Sequence, residues 1–421
     1  MKTSILLLFV LFFPGHLLMA QEAVTLEQCQ TWARENHPVL KQLELYQQIL
    51  DLKNENNATA FLPQVNLNAQ ATYQSDVTKI GISIPNMKIP EVDKDQYKFY
   101  LDFKQLIWDG GLSKAKEMLN RIENSGNLQQ VEVELYQLRE KVNQFFFTSF
   151  LIQENLKILE KKTETLAERH KLLESAVNNG MILSSELDQL LAELLKTEQL
   201  AIELKISRET VIYALSILTG KTAVQMKNLV LPEESVISDQ PLMRPELDLF
   251  SKQKTLLDAS SEILKKQRNP KLFGFGQAGY GKPGLNMLSS DFDTYYLVGA
   301  GFSWNVLDWK TTKRQQQQLK LQQDLVQTRQ NSFVRTIELA TDQQMKQINQ
   351  ISELLDTDQK LIQIRERITK SSASKLENGA ITTADYIQDL NAETTARLTL
   401  ETRKIQLKEA RMKLGNIRGN H

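Results

Sequence analysis

The chain of 421 residues carries 51 basic and 51 acidic side chains, so no net field draws it to nucleic acid or anionic lipid, and no nucleic-acid partner is expected. Its 10 prolines and 17 glycines are few for the length and lie in clusters, which leaves long stretches of helix formers unbroken. A single cysteine, Cys29, excludes an intramolecular disulfide and fits a small apolar residue on a first helix.

Met1 and Lys2 open the chain with one positive charge, an apolar run follows from Ile5 to Phe13, and Ala20 precedes Gln21. That order is the pattern of an export signal, so residues 1–20 are assigned to it, with cleavage expected after Ala20. The apolar run is shorter than the about 20 residues a membrane-spanning helix needs. Leu26-Glu27-Gln28 before Cys29 is unlike a lipid-attachment site, so an exported, unlipidated chain is expected. No later segment is apolar enough for a transmembrane helix. If the mature chain crosses a membrane, it must do so with strands closed into a barrel.

The chain repeats itself. Pro38, Pro63 and Tyr73 recur as Pro245, Pro270 and Tyr280, each 207 residues on. Phe103, Ile107, Asp109 and Gly180 recur as Phe302, Val306, Asp308 and Gly379, each 199 residues on. The difference falls in the loop between Tyr73 and Phe103, where a duplication tolerates it. The first repeat covers 21–220, a linker 221–243, and the second repeat 244–421.

Each repeat reads helix, strand, strand, long helix, helix. In the first, Thr25 and Gln28 have the spacing of a capping box. Strands are predicted at about 63–75 and 96–108 and long helices at 111–178 and 184–219. Val65, Leu67, Ala69, Ala71 and Tyr73 share one strand face; Tyr97, Phe99, Leu101, Phe103 and Ile107 share one face of the next. The second repeat has strands at about 270–281 and 294–307 and helices at 311–376 and 382–414. Its last strand puts Tyr296, Val298, Ala300, Phe302, Trp304 and Val306 on one face; the strand before it is rich in glycine and ambiguous, suggesting close backbone approach or a bend. The stretch from Leu112 to Val177 has only Gly126 as a weak point and would reach roughly 100 Å as a helix, a length that calls for coiled-coil packing. Gly180 and Gly379 mark tight helical hairpin turns.

Strands of this length, polar on one face and apolar on the other, fit a barrel with lipid outside and water inside. Lipid then faces Tyr97, Phe99, Phe103, Phe302 and Trp304. Four strands cannot close a barrel, so copies must share one: two would give eight strands and three would give twelve. Twelve leaves an open lumen where eight is filled by side chains, which favours three.

Thr25-Leu-Glu-Gln-Cys29 with Glu35-Asn-His-Pro38, Leu62-Pro63 before a strand, Gln105-Leu-Ile-Trp-Asp-Gly-Gly111, Asn179-Gly180 and Glu377-Asn-Gly379, in this order, resemble the outer-membrane efflux protein family, the TolC-like outer-membrane factors. The second repeat departs at Asp308-Trp309-Lys310, which implies that glycine is not essential to that turn. The resemblance covers the mature chain. It implies a mainly α chain with a small β part, assembled as a homotrimer. In it a twelve-stranded outer-membrane β-barrel continues as a twelve-helix periplasmic α-barrel. It further implies an exit duct for efflux or type I secretion, whose partners are a periplasmic adaptor protein and an inner-membrane pump. By the same resemblance, Gly180, Met181, Ile182, Gly379, Ala380 and Ile381 are the tips that meet the adaptor, and Glu186 and Asp385, with Asp389 one turn on, line the periplasmic gate. Thr382 and Asp385 also have capping-box spacing, so a helix cap is the competing role for Asp385.

No catalytic set, metal site or cofactor is expected. His16, His37, His170 and His421 have no partner at ligand spacing. The glycines at 274, 276, 279 and 281 lack the Lys-Ser/Thr that grips phosphate. The alternatives are a periplasmic coiled-coil scaffold or adaptor, and an exported enzyme with a helical accessory region. Either would be soluble in the periplasm, whereas a barrel needs detergent.

Overall fold

A computed structural model of the protein describes residues 23–78, 92–232 and 241–419. The assigned export signal and parts of the first strand loop and the linker lie outside them. In chain order the elements are helices α1 (Leu26–Asn36) and α2 (Lys41–Ala58), strands β1 (Gln64–Tyr73) and β2 (Asp95–Trp108), and helices α3 (Leu112–Asn178) and α4 (Ser184–Thr219). The second set is α5 (Pro245–Gln267), β3 (Lys271–Lys282), β4 (Asp293–Ser303), α6 (Thr311–Glu377) and α7 (Thr383–Arg418). Both ends of α3 and of α4 reappear in α6 and α7 displaced by 199 residues (112 to 311, 178 to 377, 184 to 383, 219 to 418), so the duplication in sequence is one of structure. Two expectations are adjusted. α7 runs to Arg418 rather than 414, and β4 stops at Ser303 rather than 307, which leaves Trp304 and Val306 beyond the strand.

The chain divides into two compact units. One comprises Val39–Glu134 and Met243–Ile337 and holds the sheet, an antiparallel meander in the order β1-β2-β3-β4. Its register sorts the side chains. Val65 pairs with Phe103, Leu67 with Leu101, Ala69 with Phe99 and Ala71 with Tyr97, all apolar. One residue along, Gln64 pairs with Lys104, Asn66 with Asp102 and Gln70 with Lys98. Directly opposed residues share a face, so these pairings join like with like, with Asn68 opposite Tyr100 and Tyr73 opposite Asp95 as the exceptions. Between β3 and β4, Leu272 pairs with Phe302 and Ala278 with Tyr296, while Gln277 on the other face pairs with Leu297.

The other unit comprises Met1–Pro38, Leu135–Leu242 and Glu338–His421. Its largest cluster joins Leu26, Cys29 and Ala33 of α1 to Val142, Phe146, Phe147 and Phe150 of α3 and Leu215 of α4. Phe146 and Phe147 are almost wholly buried; losing either ring costs about 3–5 kcal/mol. At the start of α1, Thr25 and Gln28 form the predicted capping box, each side chain bonding the other's backbone N–H. Burial raises the Cys29 thiol to about 12, which keeps it an inert apolar filler. A second cluster, Leu166, Leu190, Leu376, Tyr386 and Leu390, ties α3, α4, α6 and α7 together near the hairpin turns.

Candidate functional site: the amphipathic sheet and the hairpin tips

On the sheet, the apolar face is bare. Val65, Leu67, Tyr97, Phe99, Leu101, Phe103, Tyr296 and Phe302 are all exposed, as a lipid-facing surface requires and as a soluble core would not leave them. Aromatic side chains gather at both ends of this face. Phe292 stacks between Tyr97 and Tyr280 at one end; Trp108 and Trp304 are exposed towards the other. The expected lipid-facing residues Tyr97, Phe99, Phe103 and Phe302 thus lie together, with Trp304 just past the end of β4. β1 and β4 are the edges of the sheet, with one side of each unpaired among the described strands.

On the opposite face two glycines of β4 acquire a reason. A Cβ on Gly301 would fall 2.3 Å from the ring of Phe273, and one on Gly299 would fall 2.6 Å from the ring of Phe275. The rings lie on the neighbouring strand, where only glycine leaves room. Lys104 sits 4.9 Å over the Phe273 ring. This face carries Gln64, Asn66, Lys98, Asp102, Lys104 and Gln277 around those rings, a wettable surface with aromatic patches.

Each strand-to-helix junction turns through two left-handed residues. Gly110 and Gly111 have φ 72° and 85°, and their equivalents Trp309 and Lys310 have φ 52° and 64°. The turn keeps its shape without glycine, as expected, but the second repeat holds non-glycine residues in a costly region. Asp109 and Asp308 fix both turns identically. Asp109 accepts the N–H of Gly111 at 2.8 Å and of Ser113 at 2.5 Å; Asp308 accepts those of Lys310 at 3.1 Å and Thr312 at 3.0 Å. Burial opposes ionisation of Asp109, but the hydrogen bonds from Ser113, Gly111 and Leu112 outweigh it and hold the carboxyl below its ordinary value. Gly110 has a further reason to be glycine: a Cβ there would lie 2.3 Å from the Cβ of Asn269.

At the hairpin tips, Gly180 and Gly379 have φ 73° and 68°. The N–H of Gly180 reaches Val177 O at 2.8 Å and that of Met181 reaches Ala176 O at 2.9 Å; Gly379 and Ala380 repeat this with Leu376 and Lys375 at 3.0 and 2.8 Å. Both are Schellman turns that satisfy the last carbonyls of α3 and α6. Met181 and Ala380 are exposed, while Ile182 and Ile381 are half-buried. Ile381 packs on the cluster around Tyr386, so two hairpins share one small core beneath the turns.

The three acids proposed from sequence lie beside these tips, each with a partner. Asp385 and Thr382 form the capping box of α7. The Thr382 hydroxyl and then its backbone N–H hold the Asp385 carboxyl below its ordinary value. Glu186 accepts the N–H of Thr383 at 2.7 Å, so an acid of the first hairpin caps the second hairpin's helix. Asp389 accepts from the Ser372 hydroxyl, and its carbonyl accepts from Thr369 at 3.2 Å. Sequence reasoning missed a polar group nearby. Lys162 is nearly buried in α3 and reaches Glu193 and Asn391, both at 2.6 Å. Its place between Leu159 and Leu166, which are also buried, was the available signal. Arg169 pairs with Glu377 and lies over the Tyr386 ring.

Among the described residues no group of His, Cys, Asp and Glu is arranged to hold a metal ion, and no helix is long and apolar enough to cross a membrane.

The fold these elements define is shared with solved outer-membrane channels. The chain is similar to the CmeC outer membrane channel of Campylobacter jejuni, with TM-score 0.65 and 17% identity over 94% of this chain and 85% of that one. It is similar to the outer membrane protein VceC of Vibrio cholerae, with TM-score 0.67 and 13% identity over 94% and 96%. It also resembles the open state of the MtrE outer membrane channel of Neisseria gonorrhoeae, with TM-score 0.64 and 13% identity over 94% and 89%. No protein-family model and no curated sequence matches the chain. The likeness is one of fold.

Proposed function

We propose that the chain is one of three protomers of a passive outer-membrane exit duct in a Gram-negative cell, not an enzyme. The observation that carries this reading is the sheet: one exposed apolar face, one wettable face, and two open edges. β1 and β4 run antiparallel, so β4 of one copy can pair with β1 of the next and continue the same up-and-down meander until it closes. Closure removes the edges that lipid forbids. Three copies give twelve strands and a lumen wide enough for cargo. The stretch from Tyr97 to Ile107, at about 3.3 Å per residue and a tilt of about 40°, covers about 25 Å, the height of an outer-membrane apolar band, and the aromatic residues at its ends suit the two interfaces.

The four long helices of each copy then line a twelve-helix periplasmic tunnel. Its exposed tips, around Gly180, Met181, Gly379 and Ala380, dock to a periplasmic adaptor that links the duct to an inner-membrane pump. Glu186 and Asp385, with Asp389 behind them, place carboxylates at the mouth, where a ring of like charge favours cations. Their capping bonds do not remove that charge. Purification tests the reading: the protein should fractionate with the outer membrane, need detergent, and have the mass of three chains in light scattering. A monomer soluble in the periplasmic extract would refute it and restore the scaffold alternative.

A further inference from the structure

The duplication relates a contact made inside the chain to surfaces the chain leaves bare. Inside it, α3 and α7 meet along a seam where apolar packing of Leu166 with Tyr386 and Leu390 is joined by polar contacts. Lys162 reaches Asn391 at 2.6 Å, Arg169 lies 5.9 Å over the Tyr386 ring, and the Tyr136 hydroxyl donates to the Asn416 carbonyl. A cleft of about 760 Å³ along this seam is lined by Lys162, Thr165 and Arg169 of α3 and by Leu390 and Thr394 of α7, among others. The residues 199 positions after the three on α3 are Leu361, Ile364 and Ile368 of α6; those 199 before the two on α7 are Leu191 and Leu195 of α4. All five are aliphatic, and all five are exposed, by 42, 45, 37, 38 and 52%. The same substitution of bare for covered holds further along. Phe146 and Ile405 belong to one buried cluster, while their equivalents Met345 and Ile206 are exposed. On α4 the bare residues form one continuous stripe. Leu191, Ile202 and Tyr213, and Leu195, Ile206 and Ile217, recur every 11 residues, a spacing that keeps close to one line along a helix.

We infer that α4 of one copy packs on α6 of the next in the register of the α3 and α7 contact, with Leu191 against Leu361 and Ile364, and Ile206 against Met345. The inference rests on the self-associating duct proposed above. The occupant is a second copy because a pair of helices related to α3 and α7 by the duplication supplies both halves of the seam, both aliphatic at the five positions named. The helical ring then alternates two kinds of seam: within copies, apolar packing crossed by the polar contacts of Lys162, Arg169 and Tyr136; between copies, aliphatic packing.

The test uses the full chain in detergent, with Cys29→Ala to remove the native thiol and pairs of new cysteines joined by a short bis-maleimide. Leu191→Cys with Leu361→Cys, and Ile206→Cys with Met345→Cys, should shift the chain to a three-chain band on a denaturing gel. The crossed pairs, Leu191→Cys with Met345→Cys and Ile206→Cys with Leu361→Cys, put the thiols on the same helices out of register and should stay at one chain. If one matched pair prevents assembly, the other decides. A three-chain mass by light scattering with no linking of the matched pairs, or with linking of the crossed pairs, overturns the register and leaves the duct standing. A one-chain mass for the parent protein overturns both.

Discussion

The carboxylate of Glu186 accepts the backbone N–H of Thr383 at 2.7 Å, so the first hairpin caps the first turn of the second hairpin's helix. This bond joins residues 197 apart in sequence and makes the two tips one structure. Glu186→Ala should cost about 1 kcal/mol, the usual worth of a lost cap, and Glu186→Gln less, because an amide oxygen still accepts. Urea unfolding of the assembled protein reads both.

The same acids make a separate prediction about charge. Glu186→Gln combined with Asp385→Asn should lower the cation preference of single channels in planar bilayers and weaken block by multivalent cations, with the mass of the assembly unchanged. Unchanged selectivity would leave both side chains as caps alone and assign the constriction to other residues.

The Asp385 cap has a defined dependence on pH. Its carboxyl is held below its ordinary value of 3.8 by Thr382. A depressed carboxylate stabilises the folded state fully above the unfolded value and loses that contribution as pH falls through the lowered one. Acid unfolding of the wild type should therefore show a component below about pH 4 that Thr382→Ala weakens, with no difference in pH sensitivity between the two proteins at neutral pH. A difference centred near neutrality would contradict the assignment.

How much of this was legible in the sequence depends on the range of the interaction. The constant offsets of 207 and 199 residues placed both copies of every strand and long helix, because periodicity and turn glycines are local. Thr382 with Asp385 read as a cap for the same reason. Glu186 did not, since Leu183 occupies the position where its own capping partner would stand, and its true partner lies on another hairpin. The ambiguous alternation of β3 likewise resolved only in pairs: Gly299 and Gly301 make sense beside Phe275 and Phe273. Ile381 read only as a tip residue because the turn chemistry is local and the cluster around Tyr386 is not.

Those pairs predict non-additive mutants. Gly301→Ala forces the Phe273 ring off its neighbour and should lower the yield of assembled protein. Adding Phe273→Ala should recover part of that yield, since the clash disappears with the ring. Equal and additive losses in a double-mutant cycle would show that the two positions do not touch.

The junction turns predict opposite outcomes from opposite substitutions. Gly110→Ala meets Asn269 and a positive φ together and should destabilise by about 1–3 kcal/mol. Lys310→Gly relieves a left-handed lysine and should stabilise by about 1 kcal/mol, read as a higher unfolding midpoint.

The central claim is that the sheet faces lipid on one side and water on the other. Single cysteines placed one at a time from residue 96 to residue 104 in the Cys29→Ala protein, spin-labelled and reconstituted in bilayers, test it most directly. Labels at 97, 99, 101 and 103 should collide with oxygen dissolved in lipid, and labels at 98, 100, 102 and 104 with a water-soluble relaxing agent, giving a period of two along β2. Uniform access from water along the whole strand would contradict the account.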